Sequence, residues 1–355
     1  MAASAWFFVS DLHLNGQPCP RATDAVLPRF LETVVAASTA DRRTLVLLGD
    51  TFDLQGPVRQ PAAAVAERLT SLADAHAGFF RALGRCVGSG IDLHVVGGNH
   101  DIEVVRPAAA AMFTTLLGLD PGHPGVRFSP WVVHEPGVFY AEHGSQHDEL
   151  NRMPTLLSAG ARDDACEELP VPPIAAASRG RPWCPTHGSA VARVVRSIWS
   201  TRRHERLAQT TWYQELLDRE AADLGMSGRA LADLAATSRF GVGRALVASA
   251  RRVVERRVGV DRPGTNLAAP AAAIHRILTG YGSPAAAYVF GHNHRAERLD
   301  LPGAPAAAYL NTGTWSTQVR GRGPDRVDGK LFPYVRVSAT PAGVDADVIF
   351  WRSSQ

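Results

Sequence analysis

Apolar residues follow two rhythms along this chain. Short runs bounded by Gly, Pro, Asn or Asp alternate with Ala-rich stretches in which apolar residues recur at helical spacing. AWFFVS predicts a first strand, the segment from Asp24 to Ala40 a helix, and TLVLLGD a second strand. The spacing from Ala62 to Cys86 predicts a helix, IDLHVVGG a third strand, and Ile102 to Leu119 a helix interrupted at Pro107, which has no backbone N–H to give. VRFSPWVVH and GVFYAEH, separated by Glu135 and Pro136, predict a hairpin. A short helix follows near AAAIHRILTGY, and strands resume at AAAYVFGH, AAAYLNTGTW, FPYVRVSA and VDADVIFW. Strands alternating with helices define an α/β fold.

The rhythm changes after Glu149. Residues 166–190 are rich in Pro, Ser and Gly and read as a loop. From Val191 to Val258 the chain reads as two or three amphipathic helices with Arg on their polar faces, including VARVVRSIW and RALVASARRVVERR, and a Pro/Gly stretch at 262–270 closes the segment. Residues 1–150 and 271–355 are therefore expected to form one core, with 151–270 a mainly helical insertion. No internal repeat at solenoid periods is visible.

Composition narrows the classes. A chain of 355 residues, 45% hydrophobic and 20% charged, is globular and long enough to bury a substantial core. A net charge of +3 gives no strong electrostatic grip, so sequence-specific nucleic-acid binding is not expected. Cys19, Cys86, Cys166 and Cys184 form no CxxC pair, which argues against a zinc ribbon or a disulfide framework; Cys184 and His187 in WCPTH lack a second pair. The first residues lack a basic n-region, and no run approaches the roughly 20 apolar residues that span a bilayer, so a cytoplasmic chain is the expectation.

Five polar clusters stand at predicted strand ends or just beyond: Asp11-Leu12-His13, Gly49-Asp50-Thr51-Phe52-Asp53, Gly98-Asn99-His100-Asp101, His143-Gly144 and Gly291-His292-Asn293-His294. GGNHD alone suits a turn, because Asn and Asp bond their local backbone. Five such clusters change that reading, since strand C-termini in α/β sheets line the crevice where ligands bind. Asp, His and Asn supply oxygen and nitrogen ligands without thiolate, a set suited to Mn²⁺, Fe or Zn²⁺. In D-x-H and H-x-H, alternate residues share a side of an extended chain, so each pair can clamp an ion. The ligands outnumber what one ion takes, which points to two ions sharing a carboxylate. Two ions roughly 3.5–4 Å apart can hold a hydroxide and steady both oxygens of an in-line phosphoryl displacement.

The order D-x-H, G-D-x-x-D, G-N-H-[DE], H and G-H-x-H, from Asp11 to His294, resembles the signature of the calcineurin-like metallophosphoesterases. The resemblance implies a four-layer αββα sandwich carrying a dinuclear centre, with Mn²⁺ foremost and Fe or Zn²⁺ as alternatives. Asp11, His13 and His294 would hold one ion, Asn99, His143 and His292 the other, and Asp50 would bridge them. It further implies that His100 faces substrate and assists the leaving oxygen, that Asp101 orients that imidazole, and that Asp53 bonds a metal ligand. NTGTW at 311–315 would give backbone support. His147 stands where many relatives carry an aromatic, and either lines the substrate site or packs beneath it. His76, His94, His134 and His275 lie within predicted elements and read as structural.

The implied activity is hydrolysis of phosphate mono- or diesters by in-line attack of a metal-bound hydroxide. SDLHL, GDxFDL and the helical insertion are also similar to the UDP-2,3-diacylglucosamine diphosphatases, whose insertion covers acyl chains. A histidine at position 100 in place of their usual Arg, and the longer insertion, point to a related but distinct hydrolase. The rival from another class is a scaffold on the same fold that has lost its metals; such loss replaces ligands, and none is replaced here. For residues 151–270, a lid packed inward is preferred over contact with an anionic membrane surface. No obligate protein partner is evident.

Overall fold

The computed structural model describes residues 2–15, 23–54, 61–148, 151–152, 156–157, 211–237, 266–316 and 331–353. In chain order, β1 (Ser4–Val9) leads through α1 (Thr23–Phe30) to β2 (Arg42–Leu48), then α2 (Ala62–Ala75), α3 (Ala77–Gly88) and β3 (Asp92–Val96). A 3₁₀ turn and α4 (Pro107–Leu116), with Pro107 in its first turn, precede β4 (Val126–Ser129), β5 (Val132–Glu135) and β6 (Phe139–Glu142). Two helices, α5 (Thr211–Asp223) and α6 (Gly228–Thr237), lie in the segment expected to be an insertion. The chain then returns through α7 (Ala268–Gly280) to β7 (Ala287–Phe290), β8 (Ala296–Leu301), β9 (Ala304–Thr312), β10 (Leu331–Thr340) and β11 (Gly343–Arg352).

The strands form two sheets, ordered β11-β10-β1-β2-β3-β4 and β5-β6-β7-β9-β8. Alternation along each strand explains why both faces are apolar. Phe8, Val46, Leu48, Val96, Val335 and Val337 of the first sheet pack with Phe139, Ala141, Ala287, Val289, Ala308 and Leu310 of the second, forming a core between the sheets. Their neighbours Phe7, Val9, Leu45, Leu47 and Val95 belong to the larger core shared with the helices. Continuous apolar strands are what a sheet covered on both faces requires. Phe139 keys the sheets together, its ring edge-on to Trp6 at 5.2 Å and to Phe8 at 5.1 Å. The chain is thus a mixed α/β protein with the two-sheet metallophosphoesterase architecture expected from its motifs.

β1, β2, β3 and β4 run parallel, as do β6, β7 and β9. Each parallel set therefore delivers its C-terminal loops to a single edge, which is where the five polar clusters lie.

Three elements differ from expectation. The helix over Ala62 to Cys86 is two helices broken at His76 (φ −121°, ψ 38°), whose Nε2 lies 2.8 Å from the carbonyl oxygen of Asn15. VRFSPWVVH is not one hairpin arm: Pro130 separates β4, in the first sheet, from β5, in the second, and only β5 and β6 form the hairpin. β8 was hidden because AERLDL is an edge strand whose residues Arg298, Leu299 and Asp300 face solvent.

Much of the expected insertion, including VARVVRSIW, RALVASARRVVERR and residues 166–190, lies outside the described residues. In the described part, α5 buries Tyr213, Leu216, Leu217 and Ala221, and α6 buries Ala230, Leu231 and Leu234. His134 of β5 fastens this pair to the core through its Nδ1, 2.9 Å from the carbonyl of Leu224. Among the described residues, no helix is long and apolar enough to cross a membrane.

Candidate metal centre

Among the described residues, the non-glycine residues with left-handed φ are Asp11 (52°), His13 (48°), Asp50 (50°), His292 (66°) and His294 (61°). All five were singled out as metal ligands from their motifs. A left-handed residue with a Cβ costs about 1–2 kcal/mol and persists only where its surroundings impose it. Here the loop after β1 lies along the loop after β2: the Asp11 N–H donates to the Gly49 carbonyl (3.1 Å), His13 to Asp50 (3.0 Å) and Leu14 to Thr51 (2.9 Å). On the other sheet, the N–H of Gly291 donates to the His143 carbonyl (3.0 Å). The N–H of His292 crosses to Asp11 Oδ2 (2.9 Å), tying the two sheets at the site.

The side chains gather in three overlapping groups, Asp11–His13–His294, His13–Asp50–His100 and Asp50–His143–His292, with ligand atoms within 4.8 Å in each. In the first, His294 Nε2 lies 3.0 Å from Asp11 Oδ1 and 3.3 Å from His13 Nε2. Asp11 Oδ1 is buried, with no hydrogen-bond donor in line with it. In the third, His143 Nε2 lies 3.3 Å from Asp50 Oδ2 and 3.2 Å from Asn99 Oδ1. Its Nδ1 donates to the Leu48 carbonyl at 2.9 Å, leaving Nε2 to face the cluster.

The electrostatics suit a cation. Burial alone would raise the carboxyl of Asp50, yet the imidazoles of His143 and His100 hold it well below the usual carboxylate range. Burial likewise opposes a proton on His143, but the charges of Asp50 and Asp11 push its pKa up to about 10. Fully buried carboxylates that draw protons onto neighbouring imidazoles present the charge a divalent ion would neutralise, and metal binding would release those protons. Asp11 Oδ1, buried beside His294 without an aligned donor, and the nitrogen and oxygen donor set fit such an ion. Close approach depends on glycine: at Gly49 (φ 80°) a Cβ would stand 2.6 Å from the His143 ring, and at Gly98 it would collide with the Asp50 carboxylate.

His100 is 42% exposed at its side chain, and its ring stands edge-on to His13 at 4.8 Å. Its partner corrects the expectation from sequence. The carboxylate at the ring is that of Asp53, whose Oδ1 lies 3.1 Å from His100 Nδ1 and also 2.9 Å from His13 Nδ1. Asp101 instead turns inward and accepts backbone N–H bonds from Gly98 (2.8 Å), Asp50 (3.1 Å), Thr51 (2.7 Å) and Phe52 (3.1 Å). It therefore holds the loops after β2 and β3 together and does not orient His100. Burial opposes a charged His100, but Asp50 and the bond to Asp53 raise its pKa to about 9.

The remaining motif residues support the centre from outside. Asn311 of NTGTW donates to the Gly291 carbonyl (2.7 Å), and Thr314 Oγ1 donates to the Asp11 carbonyl (2.7 Å), bracing both strand-end loops. His147 is turned into the core, its Nε2 2.7 Å from Glu142 Oε1 and its ring 6.2 Å from that of Phe290. His94 pairs with Ser129 Oγ (2.7 Å) and His275 with the Tyr288 hydroxyl (2.9 Å).

Fold and centre together define a calcineurin-like phosphoesterase. The model of that family matches residues 7–296, and the chain belongs to it. Members of the family use divalent metals, and the clustered side chains here are candidate ligands for them. No curated protein matches the chain. Among solved structures it is similar to a single-mutant Vps29 from Entamoeba histolytica, at 11% identity and TM-score 0.25, covering 98% of this chain and 99% of that one. It is also similar to a protein titled as a 5'-nucleotidase from Staphylococcus aureus, at 12% identity and TM-score 0.35, covering 100% of this chain and 55% of that one. A third is the phosphopantetheinyl hydrolase of Mycobacterium tuberculosis, at 14% identity and TM-score 0.30, covering 88% and 90%. At these scores the neighbours add nothing to the family match.

Proposed function

We propose that this chain hydrolyses phosphate mono- or diesters with two divalent ions, Mn²⁺ foremost. The observation that carries the reading is the position of Asp50, whose carboxylate belongs both to a group with His13 and to a group with His143 and His292. Asp11, His13 and His294 would hold one ion, Asn99, His143 and His292 the other, with Asp50 shared. The pair would supply Lewis acidity and activate water at the phosphorus.

The chain's own residues do the rest. Asp53 holds His100 at Nδ1, which directs Nε2 outward as the atom that gives a proton to the leaving oxygen. Asp101 fixes the backbone from which Asp50 and Asn99 project. None of the metal-ligand positions is replaced, which favours a hydrolase over a scaffold of the same fold. Substrate choice is assigned to the insertion at 151–270, because loops and caps set specificity on a shared core.

The test is turnover of bis-p-nitrophenyl phosphate, p-nitrophenyl phosphate, cyclic nucleotides and nucleoside-diphosphate conjugates by metal-reconstituted protein beside Asp50→Ala. Hydrolysis of at least one by the wild type, lost with metal binding in Asp50→Ala, supports the reading. No turnover of any, with Asp50→Ala binding metal as well as the wild type, overturns it.

A further inference from the structure

We infer that Asp148 is a positioning residue for His292: it fixes the imidazole so that Nδ1, and not Nε2, is the nitrogen offered to an ion. This rests on the dinuclear reading above.

His292 Nε2 lies 3.1 Å from Asp148 Oδ2, and the two side chains are only 8% and 7% exposed. An ionised carboxylate only accepts hydrogen bonds, and a neutral imidazole carries one N–H and one lone pair. The nitrogen facing Asp148 therefore carries the hydrogen, and the lone pair falls to Nδ1. The other two imidazoles with outer partners are set the opposite way, His13 by Asp53 and His143 by the Leu48 carbonyl, each through Nδ1. An outer partner of this kind fixes tautomer and ring orientation and makes the ligand more basic.

Asp148 is itself held on several sides. The chain turns at Gly144 (φ 104°) into a single 3₁₀ turn, Ser145–His147, and the Asp148 N–H donates to the Ser145 carbonyl at 3.1 Å. Just before it, His147 Nε2 meets Glu142 Oε1 at 2.7 Å, and the other oxygen of that fully buried carboxylate accepts Trp131 Nε1–H at 2.6 Å. Just after it, Asn151 Nδ2 donates to Asp148 Oδ2 at 2.8 Å. His147 thus serves the centre indirectly, anchoring the turn that presents Asp148. The segment HGSQHDELN supplies a ligand at His143 and the support of a different ligand five residues later.

The test is calorimetric titration of the metal-stripped full chain with Mn²⁺ and with Co²⁺, for wild type, Asp148→Ala and Asp148→Asn. Wild type takes up two ions. In Asp148→Ala one ion binds about 10–100-fold more weakly while the other is unchanged, which also reports that the chain is folded. Asp148→Asn, whose amide oxygen still accepts the Nε2 hydrogen, recovers most of the loss. Long-range ¹H–¹⁵N spectra of the Zn²⁺-loaded wild type should show His292 bound to metal through Nδ1. Equal affinities in Asp148→Ala and wild type, equal loss in both variants, or metal on Nε2 would each overturn the assignment with the dinuclear reading intact. A wild type that binds fewer than two ions would overturn both.

Discussion

Asp53 and His100 meet through a single oxygen, and that oxygen also serves His13: Asp53 Oδ1 is 3.1 Å from His100 Nδ1 and 2.9 Å from His13 Nδ1. One carboxylate therefore orients both the imidazole of His13, a proposed metal ligand, and the proposed proton donor. If His100 gives its proton to the leaving oxygen, His100→Ala should keep both ions but slow alkyl phosphate esters by about 10²–10⁴-fold. p-Nitrophenyl esters, which leave well without a proton, should slow far less. Comparing kcat for the two classes checks this, and equal slowing would count against the role.

Asp101 makes a prediction of another kind, because its four amide bonds are structural. Removing the carboxylate leaves buried N–H groups unpaired, at about 1–3 kcal/mol each. Asp101→Ala should lower unfolding stability by at least about 3 kcal/mol even in metal-free protein. Urea unfolding measures it, and a loss under about 1 kcal/mol would contradict this assignment.

Gly49 tests how tightly the loops close on the centre. Gly49→Ala forces a Cβ to 2.6 Å from the His143 ring at φ 80°. Either the ring moves or the backbone strains, so binding of the ion we assign to His143 should weaken by at least about tenfold, on the order of 1.4 kcal/mol. Unchanged Mn²⁺ binding in this variant would show that the loop has more room than the structure gives it.

His94 gives a pH dependence remote from the ligands. Burial first, and then Arg127, lower its pKa to about 3, so the folded chain keeps it neutral while the unfolded chain titrates near 6.5. Between those values the unfolded state binds the extra proton, so stability contributed above pH 6.5 is lost as pH falls toward 3, by at most about 1.4 kcal/mol per unit. In His94→Gln this component vanishes. The difference in unfolding free energy between wild type and variant should change sign or shrink between pH 7 and pH 4.5; a constant difference would refute the coupling.

Much of this was legible in the sequence, and the reasons are physical. β1, β2 and β3 read clearly because strands covered on both faces are continuous apolar runs, and their ends were marked by the polar residues that follow. The edge strand β8 was not, since its charged face leaves no such run. The break at His76 depends on a bond to Asn15, and the split at Pro130 on which sheet each half joins. Which carboxylate meets His100 could not be read from spacing, because Asp101 adjoins it in the chain while Asp53 belongs to a different motif, and only the loop path turns Asp101 inward. The pairing of Asp148 with His292 spans 144 residues and leaves no local pattern. The left-handed ligands were likewise invisible, as nothing in Asp or His types signals that conformation.

In the proposed reaction, two ions held around Asp50 drive phosphate ester hydrolysis. Titrating metal-stripped protein with Mn²⁺ while following bis-p-nitrophenyl phosphate turnover tests it most directly. The rate should rise until two ions are bound per chain, with no metal-dependent rate in Asp50→Ala. A rate that saturates at one ion, or a fully loaded chain with no turnover, would contradict it.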